Sequence, residues 1–161
     1  MIASDKKIKF AVVGGGVIGG GWVARFLLMG FDVKVFDPDP ETESKINHVI
    51  DNARRSLPGL FEYLLPDEGS LIFCSTIGEA VSDAQWICEA IPERLNLKHK
   101  VFIEIQAHCS KDAIIASFTS GIKTSEFLAV SLNPEQIIYS HPFNPVYLFH
   151  LIEFICLLKT T

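Results

Sequence analysis

Residues 14–19 read Gly-Gly-Gly-Val-Ile-Gly, and their setting constrains this chain more than any other feature. They follow a nearly continuous apolar run, Ile8 to Val13, of the kind a strand buried on both faces requires. Beyond them Val23, Phe26 and Leu27 recur at helical spacing until Gly30, which supplies a stop. Asp32 to Phe36 then reads as a second strand ending at Asp37. The unit is strand, glycine turn, helix, strand, the start of a βαβ fold.

Gly14, Gly16 and Gly19 satisfy GxGxxG, and each position has a physical task. Gly14 permits the tight turn out of the strand, Gly16 lets backbone approach a pyrophosphate, and Gly19 lets the helix lie close to the sheet. Val17 and Ile18 open the helix, where unpaired N–H groups and a partial positive charge suit phosphate. Asp37 lies 18 residues beyond Gly19, placed to bind adenosine ribose hydroxyls and to repel a 2′-phosphate. No Arg stands beside it in the sequence, so the expected cofactor is NAD rather than NADP, with FAD a minor competitor. Asp39, between Pro38 and Pro40, reads as a turn residue.

The rest of the chain keeps alternating. Ile46, Val49, Ile50 and Ala53 mark an amphipathic helix ending near Pro58-Gly59, and 59–69 reads as a second short helix or loop. Leu71 to Cys74 and Trp86 to Ile91 read as strands with a short helical piece between them. Leu97, Val101, Phe102 and Ile105 mark another helix, with Asn96 expected as its N-cap. Ala113 to Ala116, Gln136 to Tyr139 and Leu151 to Leu157 complete the strands. The expected fold is α/β: a Rossmann-type doubly wound, mostly parallel sheet with helices on both faces, one domain over residues 1–161. Leu151 to Leu158 is apolar and followed only by Lys159, Thr160 and Thr161, as if a further element normally continued there.

Composition removes several classes. A net charge of −5 argues against nucleic acid as the main ligand. Lys6, Lys7 and Lys9 before the uncharged run Phe10 to Ala24 imitate a signal peptide, but six glycines spoil it as an apolar helix. The run also falls short of the ~20 residues a membrane span needs, so a cytoplasmic chain is expected. Cys74, Cys88, Cys109 and Cys156 are scattered without metal-ligand spacing and read as buried thiols of a reducing compartment; no metal site is expected.

Ser120, His141, Asn144 and Glu153 are the remaining polar residues that invite chemistry. Ser120 and His141 follow or end predicted strands, where open α/β sheets place ligands. A His with a carboxylate partner moves protons near neutral pH. Glu153 follows an apolar pair and requires a partner, unless it faces solvent at an edge. His48, His99, His108 and His150 read as structural or surface residues.

Together, GGGVIGGGWVARF, EAIPERLNLKHKVF, FTSGIKTSE and HPFNPVY…LIE resemble the NAD-binding domain of the 3-hydroxyacyl-CoA dehydrogenase family. The spacings agree too, 21 residues from Ser120 to His141 and 12 from His141 to Glu153. The resemblance implies that His141 is the general base toward a 3-hydroxyl, that Glu153 orients it, that Ser120 hydrogen-bonds the reacting oxygen and that Asn144 helps hold substrate and nicotinamide. It implies cofactor contacts at Glu93 and Lys98, although Lys98 read alone is equally a solvated helix charge. HPFNPVY and GGWVARFLLMGFDVKVFDPDPE look most like the branch acting on L-carnitine, whereas acyl-CoA members usually show HFFNPVPVM. Phe143, Tyr147 and Phe149 offer aromatic faces to a quaternary ammonium, against a bland role in packing.

The expected substrate is therefore a small 3-hydroxy compound, carnitine or an acyl-CoA, oxidised to a 3-keto product with NAD. Two departures stand out. Phe118 occupies a position usually small or polar, and the family's helical C-terminal domain, which completes the cleft and makes the homodimer, is not in this chain. A non-catalytic NAD-binding or assembly module is the reading from another class.

Overall fold

The computed structural model describes residues 8–119, 121–122, 131–149 and 151–156. Seven strands form one sheet in the order β3-β2-β1-β4-β5-β6-β7. They are β1 (Lys9–Val13), β2 (Asp32–Phe36), β3 (Leu71–Phe73), β4 (Trp86–Glu89), β5 (Ile114–Ser117), β6 (Ile137–Pro142) and β7 (Ile152–Cys156). All pairings from β3 through β6 are parallel, and β7 alone runs antiparallel, against β6. Among the described residues four α-helices accompany them: α1 (Val17–Leu28), α2 (Thr42–Ser56), α3 (Ile77–Val81) and α4 (Leu95–His108). The doubly wound, mostly parallel sheet expected from the sequence is the fold observed.

The core divides because central strands carry apolar residues on both faces. One cluster packs α3 and α4 against Ala11, Val13, Ile87 and Ile115. The other packs α1 and α2 against Phe10, Val12, Val33, Val35 and Cys88. In α2 the buried stripe is Ile46, Ile50 and Ala53, and each fully buried isoleucine contributes about 1.5–3 kcal/mol. Gly30 ends α1 as expected, at φ +83°. Its N–H donates to the Leu27 carbonyl, and that of Phe31 donates to Phe26, the paired bonds of a left-handed helix stop.

Several boundaries differ from expectation by a residue or more, and three of them have a clear local reason. The strand expected to reach Ile91 stops at Glu89, because the Ile91 N–H donates to the Glu89 carboxylate instead of a sheet neighbour. Helix α4 begins at Leu95, so Arg94 rather than Asn96 is the N-cap residue, and its carbonyl accepts from Leu97 and Lys98. Inward-facing Lys98 draws the first turn in, leaving Asn96 exposed on its outside. Strand β6 runs on to Pro142, because β7 pairs with it through to Pro142↔Ile152. Residues 57–60 form a 3-10 turn, with loop beyond. No helix among the described residues is long and apolar enough to cross a membrane.

Candidate active site

Parallel strands deliver their loops to one edge. In strand order from β2 through β1, β4 and β5 to β6, the carboxyl ends lead to Asp37, the glycine turn, residues 90–93, residues 118–119 and His141. At ~4.8 Å per strand step this row spans about 19 Å. The order reverses between β1 and β4, the crevice where such sheets bind ligands.

The glycine turn has the backbone geometry its spacing requires. Gly14 has φ +101°, and a Cβ there would lie 2.6 Å from the Ala90 carbonyl oxygen. A Cβ on Gly19 would come within 1.8 Å of the Gly14 oxygen, so only glycine lets α1 start this close to β1. Gly16 is the open position: a Cβ would meet nothing within 4 Å. It borders a cleft of roughly 500 Å³ that reaches Asp37 on one side and Ile91, Arg94 and Leu97 on the other. Val17 and Ile18 form the first turn of α1, with Val17 largely exposed. Asp37 is half-buried and accepts the N–H of Gly15 at 2.6 Å and that of Asp39 at 2.8 Å. Two carboxylate oxygens have about four acceptor sites, so capacity remains for ribose hydroxyls. Asp39 is a surface residue paired with Lys45, not a rival of Asp37. Open backbone at Gly16, an acceptor at Asp37 and apolar walls between them fit a dinucleotide.

Behind the cleft wall lies a charged group that sequence reasoning placed differently. Lys98 is fully buried, not solvated, and its ammonium donates to Glu89 at 2.7 and 3.0 Å. Glu89 also accepts the Ser117 hydroxyl at 2.6 Å and the Ile91 N–H at 3.0 Å. Lys98 is not among the residues lining the cleft; it acts on the carboxylate that pins Ile91, which is. Glu89 and Ser117 were missed, although a carboxylate inside the apolar run WICEAI is a signal that some partner must exist. Glu93 is exposed and accepts the Thr119 hydroxyl and, at 2.9 Å, the Gly121 N–H, tying the loop after β4 to the loop after β5.

At the far end of the row, His141 and Glu153 face each other as direct cross-strand partners in β6 and β7. His141 Nδ1 lies 3.9 Å from Glu153 Oε2, with the side chains 57% and 68% exposed. A cleft of roughly 480 Å³ is lined by Thr119, Ser140, His141 and Glu153. Asn144 is exposed just beyond His141, and the Phe143 ring meets that of His141 edge-on at 5.9 Å. Ser120 lies outside the described residues; Thr119 before it is buried at this cleft. Phe118 does not intrude on it, because its ring stacks on Trp22 of α1, 5.8 Å away. His48 sits on α2, and His99 and His108 on α4, none of them lining either cleft; His150 lies outside the described residues. No group of three or more potential metal ligands occurs among the described residues.

The family model described as 3-hydroxyacyl-CoA dehydrogenase, NAD binding domain, matches residues 9–161. The chain belongs to this family. The cofactor of the 3-hydroxyacyl-CoA dehydrogenase fold described above is NAD. An L-carnitine dehydrogenase/betainyl-CoA thioesterase of Ruegeria pomeroyi is 60% identical over 145 residues, 90% of this chain and 30% of its own length. An L-carnitine dehydrogenase of Mesorhizobium japonicum is 52% identical over 148 residues, 91% of this chain and 41% of its own. The chain thus spans less than half the length of these curated relatives. Among solved structures, 5-formyl-3-hydroxy-2-methylpyridine 4-carboxylic acid 5-dehydrogenase, an NAD+-dependent dismutase, matches with TM-score 0.84 and 31% identity. That match covers 96% of this chain and 50% of the other.

Proposed function

We propose that this protein is an oxidoreductase that oxidises a 3-hydroxy group to a 3-keto group with NAD, with L-carnitine as its substrate. The observation that carries the reading is the His141–Glu153 pair, set across β6 and β7 on the edge that holds the glycine turn. With Nδ1 toward Glu153, Nε2 of a neutral His141 is free to take the hydroxyl proton. Glu153 holds the ring and stabilises the imidazolium that forms; at 3.9 Å a small approach completes their hydrogen bond. Asn144 and Ser120 hold the substrate beside His141. Gly14, Gly16, Val17, Ile18 and Gly19 carry the phosphates, Asp37 the adenosine ribose, and Glu93 the nicotinamide side, with Lys98 contributing through Glu89. Bound NAD supplies the two-electron acceptor.

The carnitine dehydrogenase names of the 60% and 52% identical relatives favour the carnitine branch. An acyl-CoA remains the second reading because the family's description names it. We place the protein in the cytoplasm, supported by the free thiols of Cys74, Cys88 and Cys109, and read its assembled form as a homodimer.

Absorbance at the NADH band, with NAD and either L-carnitine or 3-hydroxybutyryl-CoA, tests the proposal. L-carnitine is expected to turn over, and His141→Asn to lower kcat by about 10²–10⁴-fold with the NADH dissociation constant unchanged. Turnover of the CoA ester alone would move the substrate to the second reading. NADH binding without turnover of either would favour a non-catalytic module.

A further inference from the structure

The cleft beside the glycine turn carries two charged side chains among its described lining residues, Asp37 and Arg94. The sequence around Asp37 contains no Arg; the fold brings one from the loop after β4. Arg94 caps α4 with extended backbone, φ −125° and ψ 113°, and its position is closely held. Its N–H donates to Pro92 at 2.7 Å, while its carbonyl accepts from Leu97 at 3.0 Å and from Lys98 at 2.9 Å. Lys98 is itself anchored in the buried Glu89 pair. Among the described residues no carboxylate forms an ion pair with the Arg94 guanidinium, in contrast to Arg54, which has Asp51 and Glu68.

The wall around Arg94 is apolar, with Ile77, Ile91, Leu97 and Val101 lining the same cleft. Such a wall suits one face of a flat heteroaromatic ring and leaves the other face to be covered. A guanidinium is planar, weakly hydrated and attracted to ring faces. We propose that Arg94 closes the adenosine end of the NAD cleft by laying its guanidinium against the adenine, as a cofactor-binding residue opposite Asp37. Asp37 then reads the ribose and Arg94 the base. The assignment rests on NAD being the ligand of this cleft, and it adds a cofactor residue outside the glycine motif and its acid.

The test is a fluorescence titration of NADH with the unmodified chain and with Arg94→Gln, alongside two further probes. Adenosine, displacing NADH, has the base but no charge; reduced nicotinamide mononucleotide has a phosphate but no adenine. Arg94→Gln is expected to weaken NADH and adenosine by about 2- to 30-fold and to leave the mononucleotide unchanged. Its thermal midpoint should match the parent's, since Arg94 is exposed and without an ion pair among the described residues. Equal weakening of NADH and the mononucleotide with adenosine unaffected would mean a phosphate contact and overturn the proposal. An unchanged NADH constant would overturn it as well. Failure of the unmodified chain to bind NADH would instead remove the dinucleotide reading on which this one stands.

Discussion

Glu89 and Lys98 are both fully removed from water between β4 and α4, and a lone ion in that position costs several kcal/mol. Mutual pairing offsets the cost only because Ser117 and the Ile91 N–H use the remaining acceptor capacity of Glu89. Lys98→Met is therefore expected to lower unfolding stability by about 3–5 kcal/mol, since it leaves Glu89 buried and unpaired. Adding Glu89→Gln should recover part of that loss, because the uncompensated charge is gone. Urea midpoints of the two variants check this; a loss within the ±0.5 kcal/mol usual for surface sites would contradict the burial. Burial also raises the Cys88 thiol far above its ordinary range, so it is no nucleophile in the folded chain.

At the scale of elements, two devices fix which residues meet. One is the β6–β7 register, which sets His141 opposite Glu153, so their 12-residue spacing is the length of the excursion between paired strands. The other is Asp83, after α3, which accepts from Lys34 of β2 at 2.8 Å and from Lys9 of β1 at 2.7 Å. Hydrogen bonding from Lys34, then Lys9, holds the Asp83 carboxyl below its ordinary value of 3.8. A depressed carboxyl pKa means that the unfolded chain binds the proton more readily. The tie therefore stabilises above that ordinary value and fades as pH falls through the lowered one. Because Asp83 is 39% exposed, solvent screening limits the tie to about 0.2–1 kcal/mol. Asp83→Asn should lower the thermal midpoint slightly at pH 7, by an amount that shrinks as the pH falls below the ordinary carboxylate value; a gap that widened in acid would contradict the assignment.

Across the whole molecule, the carboxyl-end loops of the six parallel strands share one sheet edge, with the glycine turn near its middle and His141 at one end. Beyond His141 the surface turns apolar: Phe143, Phe149 and Leu151, which line one cavity, are 39%, 53% and 59% exposed. Apolar side chains gathered in this way favour contact with another surface over contact with water. The chain on its own is expected to bind a hydrophobic dye and to self-associate on gel filtration in a concentration-dependent way. A sharp monomer peak without dye binding would contradict that.

Much of this was written locally. A buried strand, a turn that only glycine can make and an amphipathic helix are short-range matters of steric and hydrophobic periodicity. Accordingly Asp32–Phe36, the helix stop at Gly30 and the separate tasks of Gly14 and Gly19 were legible in the sequence. His141 and Glu153 were legible through motif and spacing, but their opposition needed the β6–β7 pairing. Where no motif marks it, long-range partnership was not legible. A lysine on a helix looks the same whether it faces solvent or a buried carboxylate nine residues earlier, and an arginine far from Asp37 gives no sign that it shares its cleft. The tertiary structure alone decided that Lys98 belongs to Glu89 and Arg94 to the wall opposite Asp37. The physical reason is that burial and charge pairing depend on which surfaces packing removes from water, and that is settled only when α4 docks on the sheet.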